Sequence, residues 1–251
     1  MTVILSIFGI GFLASFVGGL LGLGGGFILV PLLTLTMNLD IKEAIILSLI
    51  SLVWLGLFRT IQSRNLVHTH RDTIRPLAVM TFAGSFVATL IGTRTPSYYL
   101  SLLFSVLLIG LSIFLFMNRK WEPSIDKRHS GMGVAKGIFF GSGMLGGLLG
   151  LGGGIFNVPA LHRLLHYPMS EATKLNFPFI LISGATALGT FYMTKRDLVQ
   201  SLPLAPVAAL LVGTYLGGTM SGKAKISSHK LKSFFALILL AMGVLKLLTT
   251  H

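Results

Sequence analysis

Long apolar runs separated by short polar gaps dominate this chain of 251 residues. Eight apolar segments can be drawn, at 3–36, 44–58, 77–93, 98–117, 131–161, 175–193, 202–222 and 233–249. A helix that spans a bilayer needs about 20 consecutive apolar residues, and most of these segments are near that length. The pattern therefore predicts an all-α membrane protein with about eight hydrophobic segments.

A fourteen-residue motif occurs twice in the chain, once in each half. Residues 18–31 read GGLLGLGGGFILVP and residues 146–159 read GGLLGLGGGIFNVP, so the two copies are 128 residues apart. The correspondence continues past the motif, because Glu43 aligns with Glu171 at the same spacing. We therefore interpret the chain as an internal duplication.

A polar linker between the two copies sets the predicted domain organisation. Its residues, 118–130, read NRKWEPSIDKRHS and interrupt the apolar pattern. We expect a first transmembrane repeat at 1–117 and a second at 131–251, packed together as a single integral membrane domain.

The glycine motif lies inside the first and fifth apolar segments, which are too long for one straight helix. Each contains three consecutive glycines, at 24–26 and 152–154, followed by Pro31 or Pro159. Glycine disfavours regular helix, and proline removes a backbone donor. Segments 1 and 5 are therefore predicted to be interrupted or re-entrant.

The distribution of basic residues adds a prediction about orientation. If each of the eight segments crossed the membrane once, eleven lysines and arginines would lie on one side and eight on the other. Cytoplasmic loops carry an excess of basic residues, so this small difference weakly favours the cytoplasm for the side with eleven. The first half concentrates its charges after its second segment, whereas the second half concentrates them after its third. This difference favours inverted repeats, which need an odd number of crossings in each half.

The triple glycines are the first candidates for a substrate site. Broken helix in a membrane is tolerated where protein or a water-filled cavity surrounds it. Free amides at a helix start and the helix dipole favour an anion, and two such breaks could face one anion together. The GxxxG spacing of the same motif also suits helix packing. The candidate substrate-binding glycines are Gly24, Gly25, Gly26, Gly152, Gly153 and Gly154.

Four polar residues near the motif are further candidates. Asn157 is the one polar residue among the positions at which the two motif copies differ. Ser48 and Asn176 occupy equivalent positions in the helices that follow the motif. Lys174 precedes the sixth segment. Each can contact a substrate, but each equally suits a bridge between helices or, for Lys174, a position at the membrane interface.

Composition argues against most other classes of protein. Charged residues make up 11% of the chain and hydrophobic residues 53%. So few charged residues cannot cover the water-facing surface of a soluble domain. The net charge of +13 is spread through the polar gaps, which suits anionic lipid headgroups better than nucleic acid. The chain has no cysteine, and His162 and His166 have no acidic neighbour. We therefore expect no enzyme activity, no metal site and no cofactor.

The chain offers few acidic residues that could couple transport to an ion. Glu43 and Glu171 are the only acidic pair matched by the duplication, and both suit a helix start as well as a proton relay. A coupling ion, H+ or Na+, is therefore a candidate partner beside a small anion and membrane lipid. The stretch from Gly217 to Lys223 fits GxxxxGK, but Ala224 stands where Ser or Thr would bind Mg²⁺, so ATP use is not expected.

The two GLGGGxxxVP copies, at 22–31 and 150–159, resemble the sulfite exporter TauE/SafE family, also called the toluene-sulfonate uptake permease superfamily. An R-[ND]-L-V stretch in each half adds to the resemblance, which spans essentially the whole chain. The family implies small bacterial inner-membrane proteins of two similar four-segment halves, associated with export or uptake of sulfite, sulfonates and related sulfur or organic anions. Where the family has Thr-Ser after the motif, this chain has Leu47-Ser48 in the first half and Leu175-Asn176 in the second.

These observations together predict a secondary transporter for a small anion, working by alternating access around a midplane site between the repeats. An anion channel and a non-transporting membrane scaffold are the alternatives. We expect a multi-pass protein of the bacterial inner membrane.

Overall fold

The computed structural model describes residues 2–117, 131–222 and 228–248, and the linker predicted at 118–130 lies outside them. The described residues form thirteen helices and no strand, as the all-α prediction requires. The helices are α1 (Thr2–Leu21), α2 (Gly26–Met37), α3 (Ile41–Gln62), α4 (Arg64–Thr69), α5 (Arg71–Arg94), α6 (Ser97–Met117), α7 (Met132–Leu149), α8 (Gly154–Arg163), α9 (Met169–Leu175), α10 (Phe177–Thr194), α11 (Arg196–Gln200), α12 (Leu204–Ser221) and α13 (Ser228–Leu248).

Six spans among the described residues are long and apolar enough to cross a membrane. They comprise α1, α3, α5, α7, α12 and the stretch Met169–Thr194, in which α9 and α10 follow each other directly. Shorter apolar stretches lie in α2, α6 and α13. Helix length and composition therefore agree with a multi-pass membrane protein.

Both glycine motifs interrupt their helices, as the sequence predicts. Residues 22–25 separate α1 from α2, and residues 150–153 separate α7 from α8. Six glycines in these gaps have φ between +67° and +95°. A residue with a side chain adopts that region at a cost of roughly 1–2 kcal/mol, which explains why the breaks consist largely of glycine.

After each break the chain folds back along the helix that it has just left. A Cβ atom on Gly25 would collide with the carbonyl group of Ala14 in α1, and one on Gly153 would lie 2.8 Å from the carbonyl oxygen of Ser142 in α7. The helices α2 and α8 have 12 and 10 residues. At about 1.5 Å per residue they are too short to cross the hydrocarbon layer, so the broken segments are re-entrant in shape.

Four pairs of helices from the two halves of the chain make the most extensive contacts. The helix α1 packs against α12, α5 against α7, α3 against α10 and α6 against α13. Glycines allow close approach in these pairs: Gly213 and Gly217 of α12 face α1, whereas Gly84 of α5 and Gly143 of α7 lie in the other interface. Small residues are typical of helix contacts in membranes, where packing replaces the hydrophobic effect.

The equivalent helices α3 and α10 run antiparallel. A Cβ atom on Gly56 would lie 2.9 Å from the backbone nitrogen of Leu181, and one on Gly184 would lie 3.1 Å from a methyl group of Val53. Later residues of α3 thus contact earlier residues of α10. We call the end of the bundle that contains the start of α3 the Lys42 face, and the opposite end the Arg59 face.

Local capping fixes the start of α3. The Asp40 carboxylate accepts a hydrogen bond from the backbone nitrogen of Lys42 at 2.8 Å, and the backbone nitrogen of Asp40 donates to the Glu43 carboxylate at 3.1 Å. This reciprocal capping box satisfies amides that the helix leaves unpaired. Glu43 therefore acts as a helix-start residue here.

The helix directions predict which loops share a side of the membrane. Arg64 follows the end of α3 and Arg196 follows the end of α10. Because α3 and α10 are antiparallel, we expect Arg64→Cys and Arg196→Cys to be labelled from opposite sides by an impermeant maleimide. The chain has no native cysteine to interfere. Labelling of both variants from one side of sealed vesicles would contradict the inverted arrangement.

Candidate functional site

The two glycine breaks contact each other near the middle of the bundle. A Cβ atom on Gly26 would overlap the carbonyl oxygen of Gly150, and one on Gly154 would lie 2.6 Å from the carbonyl oxygen of Gly22. The start of each short helix therefore packs against the end of the long helix in the other half. Leu52, near the middle of α3, has a methyl group 3.2 Å from the Cβ position of Gly152.

Two side chains at equivalent positions tie the breaks together. Ser48 Oγ donates a hydrogen bond to the carbonyl oxygen of Gly150 at 2.7 Å, and Asn176 Nδ2 donates to that of Gly22 at 2.7 Å. Both side chains are fully buried. Each satisfies a carbonyl at a helix end, where helical hydrogen bonds run out. In this conformation Ser48 and Asn176 thus bridge the halves, and their contact with a substrate stays a prediction.

Two asparagines near the breaks have an unpaired end of their side-chain amide. Asn157 Oδ1 accepts a hydrogen bond from Ser142 Oγ, but Asn157 Nδ2 has no partner among the described residues. The same holds for Asn176 Oδ1. Leaving a buried polar group unpaired costs about 1–3 kcal/mol, so such groups call for a specific explanation.

The starts of α2 and α8 have no capping side chain. Their first-turn amides therefore carry the positive end of the helix dipole. All of the candidate glycines, 24–26 and 152–154, are buried. An anion reaches these amides only if the two breaks move apart, because each helix start here faces a carbonyl of the other break.

A cavity of about 530 Å³ opens on the Arg59 face. It lies between the end of α3 and the starts of α9 and α10, and Gly222 after α12 completes it. Its polar lining includes Arg59, Gln62, Asn65, Glu171 and Lys174. Lys174 is exposed here, so the structure separates it from the other candidates, which lie at the breaks.

A second cavity of about 400 Å³ opens on the Lys42 face. Its charged lining residues are Lys42, Arg94 and Lys195. The two cavities lie at related positions of the two halves: each contains the start of one of the two helices α3 and α9–α10 and the end of the other, and Lys42 corresponds to Ser170 at the 128-residue spacing. At 1.5 Å per residue, Lys42 and Arg59 are about 25 Å apart along α3.

An apolar cluster lies between the Arg59-face cavity and the breaks. Leu52, Leu55, Phe177 and Ile180 form it, and each is at most 1% exposed. Phe177 also lines the cavity, so its ring forms the floor. Since Leu52 contacts Gly24 and Gly152, the cluster separates the cavity from the breaks.

Sequence reasoning missed Arg59. Its guanidinium carbon lies 4.8 Å from the centroid of the Phe177 ring, within range of a cation–π interaction. The equivalent residue in the second half is Ala187, so the duplication gave no signal at this position. An arginine directly after the apolar segment 44–58 was the only available hint.

Glu171 belongs to a polar group that joins the two halves. It lies in the first turn of α9, where a carboxylate suits the helix dipole, and its Oε2 is 3.8 Å from His70 Nε2. The Tyr167 hydroxyl lies 3.3 Å from His70 Nδ1 and donates to Thr73 Oγ1 at 3.1 Å. The group connects the start of α5 with the α8–α9 connection.

Comparison with known proteins identifies the family. A family model described as "Sulfite exporter TauE/SafE" matches residues 7–245. The "Probable membrane transporter protein YunE" of Bacillus subtilis (strain 168) is 28% identical, covering 93% of this chain and 93% of the relative. The "Probable membrane transporter protein MJ0441" of Methanocaldococcus jannaschii is also 28% identical, covering 95% and 93%. A "Probable membrane transporter protein" of Haemophilus influenzae is 30% identical over 72% of this chain and 68% of its own length.

No solved structure matches this chain significantly. The family match, however, extends over both halves and both glycine breaks. The chain therefore belongs to the sulfite exporter TauE/SafE family and is a multi-pass membrane transporter.

Proposed function

We propose that this protein is a secondary transporter of a small anion, either a sulfur-containing anion such as sulfite or a sulfonate or a related organic anion, in a bacterial cell membrane. The observation that carries the proposal is the pair of basic cavities on opposite faces, separated by an apolar cluster and two buried breaks. A carrier closed between its two open conformations has this arrangement. An open channel would join the cavities, and an enzyme or a scaffold has no need of them.

The proposed central site lies where the breaks meet. When they separate, the first-turn amides of α2 and α8 face the gap, and the unpaired ends of Asn157 and Asn176 lie nearby. Each helix start stabilises an anion by roughly 0.3–2 kcal/mol. Such a site needs no lysine or arginine at the membrane centre, which would cost about 2.5–3.5 kcal/mol. A coupling ion, H+ or Na+, is part of the proposal, with Glu171 as the candidate carboxylate at a cavity wall.

We propose in addition that the Arg59 face is cytoplasmic. Following the helix directions, fifteen of the twenty lysines and arginines belong to this face by their place in the chain. They are Arg59, Arg64, Arg71, Arg75, Lys136, Arg163, Lys174, Lys230 and Lys232, with Arg119, Lys120, Lys127, Arg128, Lys223 and Lys225 in the two connectors that join helix ends of this face. The Lys42 face has five. This asymmetry favours the cytoplasm for the Arg59 face, and the start of α1 and the end of α13 would then face the outside.

Counterflow in proteoliposomes tests the transport proposal. Vesicles loaded with unlabelled sulfite should accumulate radiolabelled sulfite transiently, because a carrier exchanges one anion for another. A set of sulfate, thiosulfate, sulfoacetate and taurine as competitors would identify the preferred class. Uncoupled flux without exchange would indicate a channel, and no flux of any tested anion would contradict transport.

Asn157→Leu tests the central site. Leucine fits this position in the first half, where Leu29 is 1% exposed, so we expect the fold to be retained. The variant loses a polar group beside the α8 start, and exchange should fall at least tenfold. Ser105→Ala is a matched control, because Ser105 is buried and bonds only within its own helix. Unchanged exchange kinetics for Asn157→Leu would assign the residue to packing.

Gly26→Ala tests the contact between the breaks. The added methyl group overlaps the Gly150 carbonyl, so we expect a lower melting temperature in detergent and reduced exchange. Gly189→Ala in α10 is the control, because nothing lies within 4 Å of its Cβ position. That variant should gain roughly 0.5–1 kcal/mol from helix propensity. Equal behaviour of the two variants would show that the breaks need no close contact.

A further inference from the structure

We propose that the Arg59-face cavity holds an anion site of its own, where a small oxyanion binds between Arg59 and Lys174 before it reaches the breaks. This inference rests on the proposed transport function. It adds a second binding site, a binding residue outside the glycine motif and a side of the membrane from which the site is loaded.

The Arg59 guanidinium is poorly satisfied by the protein itself. Among the described residues its buried Nε atom has no hydrogen-bond partner, and its Nη1 atom donates to Gln62 Oε1 at 3.4 Å. No carboxylate forms an ion pair with it in the part of the chain that the structure describes. A half-buried cation without a counter-ion is costly. Two oxygens of one oxyanion match the planar guanidinium donors and would remove that cost.

The charge of the cavity favours an anion. Among the described residues of its lining, Glu171 is the one carboxylate, and it lies 3.8 Å from His70 Nε2. Arg59 and Lys174 therefore leave the cavity with a net positive charge. Gln62 and Asn65 add neutral donors around the same space.

The position of Arg59 links this site to the closed path beyond it. A Cβ atom on Gly222 would collide with the guanidinium, so the glycine after α12 makes room for it. On its other side the guanidinium packs on Phe177, the floor of the cavity. An anion that draws the guanidinium toward Lys174 takes a contact away from the ring that closes the path to the breaks. Binding in the cavity thereby favours opening of the floor.

Direct binding to the purified full-length protein tests the site. Radiolabelled sulfite, kept anaerobic, is the probe, with sulfate as competitor. We expect Arg59→Gln to weaken binding at least tenfold and Arg59→Lys to weaken it less, because lysine keeps the charge and loses the paired donors. Arg64→Gln is the control: it removes the same charge from the same face outside the cavity lining. Melting temperature and size-exclusion profile verify the fold of each variant.

The outcomes separate this inference from the proposed function. Equal binding by Arg59→Gln and Arg64→Gln, or no sulfite binding by the wild-type protein, would overturn the cavity site. Wild-type counterflow together with unaltered binding by Arg59→Gln would leave transport standing and the cavity site wrong. Binding that depends on Arg59 without any counterflow would support the site and contradict transport. In Asn157→Leu the cavity should still bind sulfite even though exchange falls at least tenfold.

Discussion

Hydrocarbon does not tolerate unpaired backbone groups, and this constraint governs the centre of the protein. Each glycine break leaves carbonyls at the end of a long helix and amides at the start of a short one. Ser48 and Asn176 pair one carbonyl of the opposite break each, so neither half satisfies its own break alone. In the proposed transport cycle, the uncapped amides are the groups available to an anion. The backbone chemistry that makes the breaks hard to bury would thus also supply the proposed binding groups.

Duplication explains why the protein has two of each feature, and departures from it distinguish the residues to which we assign the proposed binding. The four helix pairs each join one helix from either half, and the cavities lie at related positions on opposite faces. The halves differ where polar chemistry is concentrated: Asn157 replaces Leu29, and Arg59 has Ala187 as its counterpart. A perfectly symmetric pair of halves would bind and release an anion equally at both faces. We attribute the difference between the faces to these substitutions.

The sequence predicted the helical membrane fold and both interruptions, because glycine triplets inside apolar segments have few other structural explanations. It also selected Ser48, Asn157 and Asn176, which the structure places at or beside the breaks. The partners of Ser48 and Asn176 were not predictable, since each bonds a carbonyl more than 100 residues away and depends on how the halves pack. If all eight apolar segments crossed the membrane once, the basic residues would be divided almost evenly between its two sides. Because α2 and α8 fold back instead, the helices that follow them run in the opposite direction, and most basic residues then belong to the Arg59 face.

A disulfide between the two halves tests most directly whether the breaks must separate during transport. Cβ of Ser48 lies 3.3 Å from the Cβ position of Gly150, close to the ~3.8 Å typical of a disulfide. Oxidation of the Ser48→Cys, Gly150→Cys double variant in proteoliposomes should stop sulfite exchange, and dithiothreitol should restore it, with no oxidant effect on either single variant. Full exchange by the cross-linked protein would contradict a transport cycle in which the breaks part.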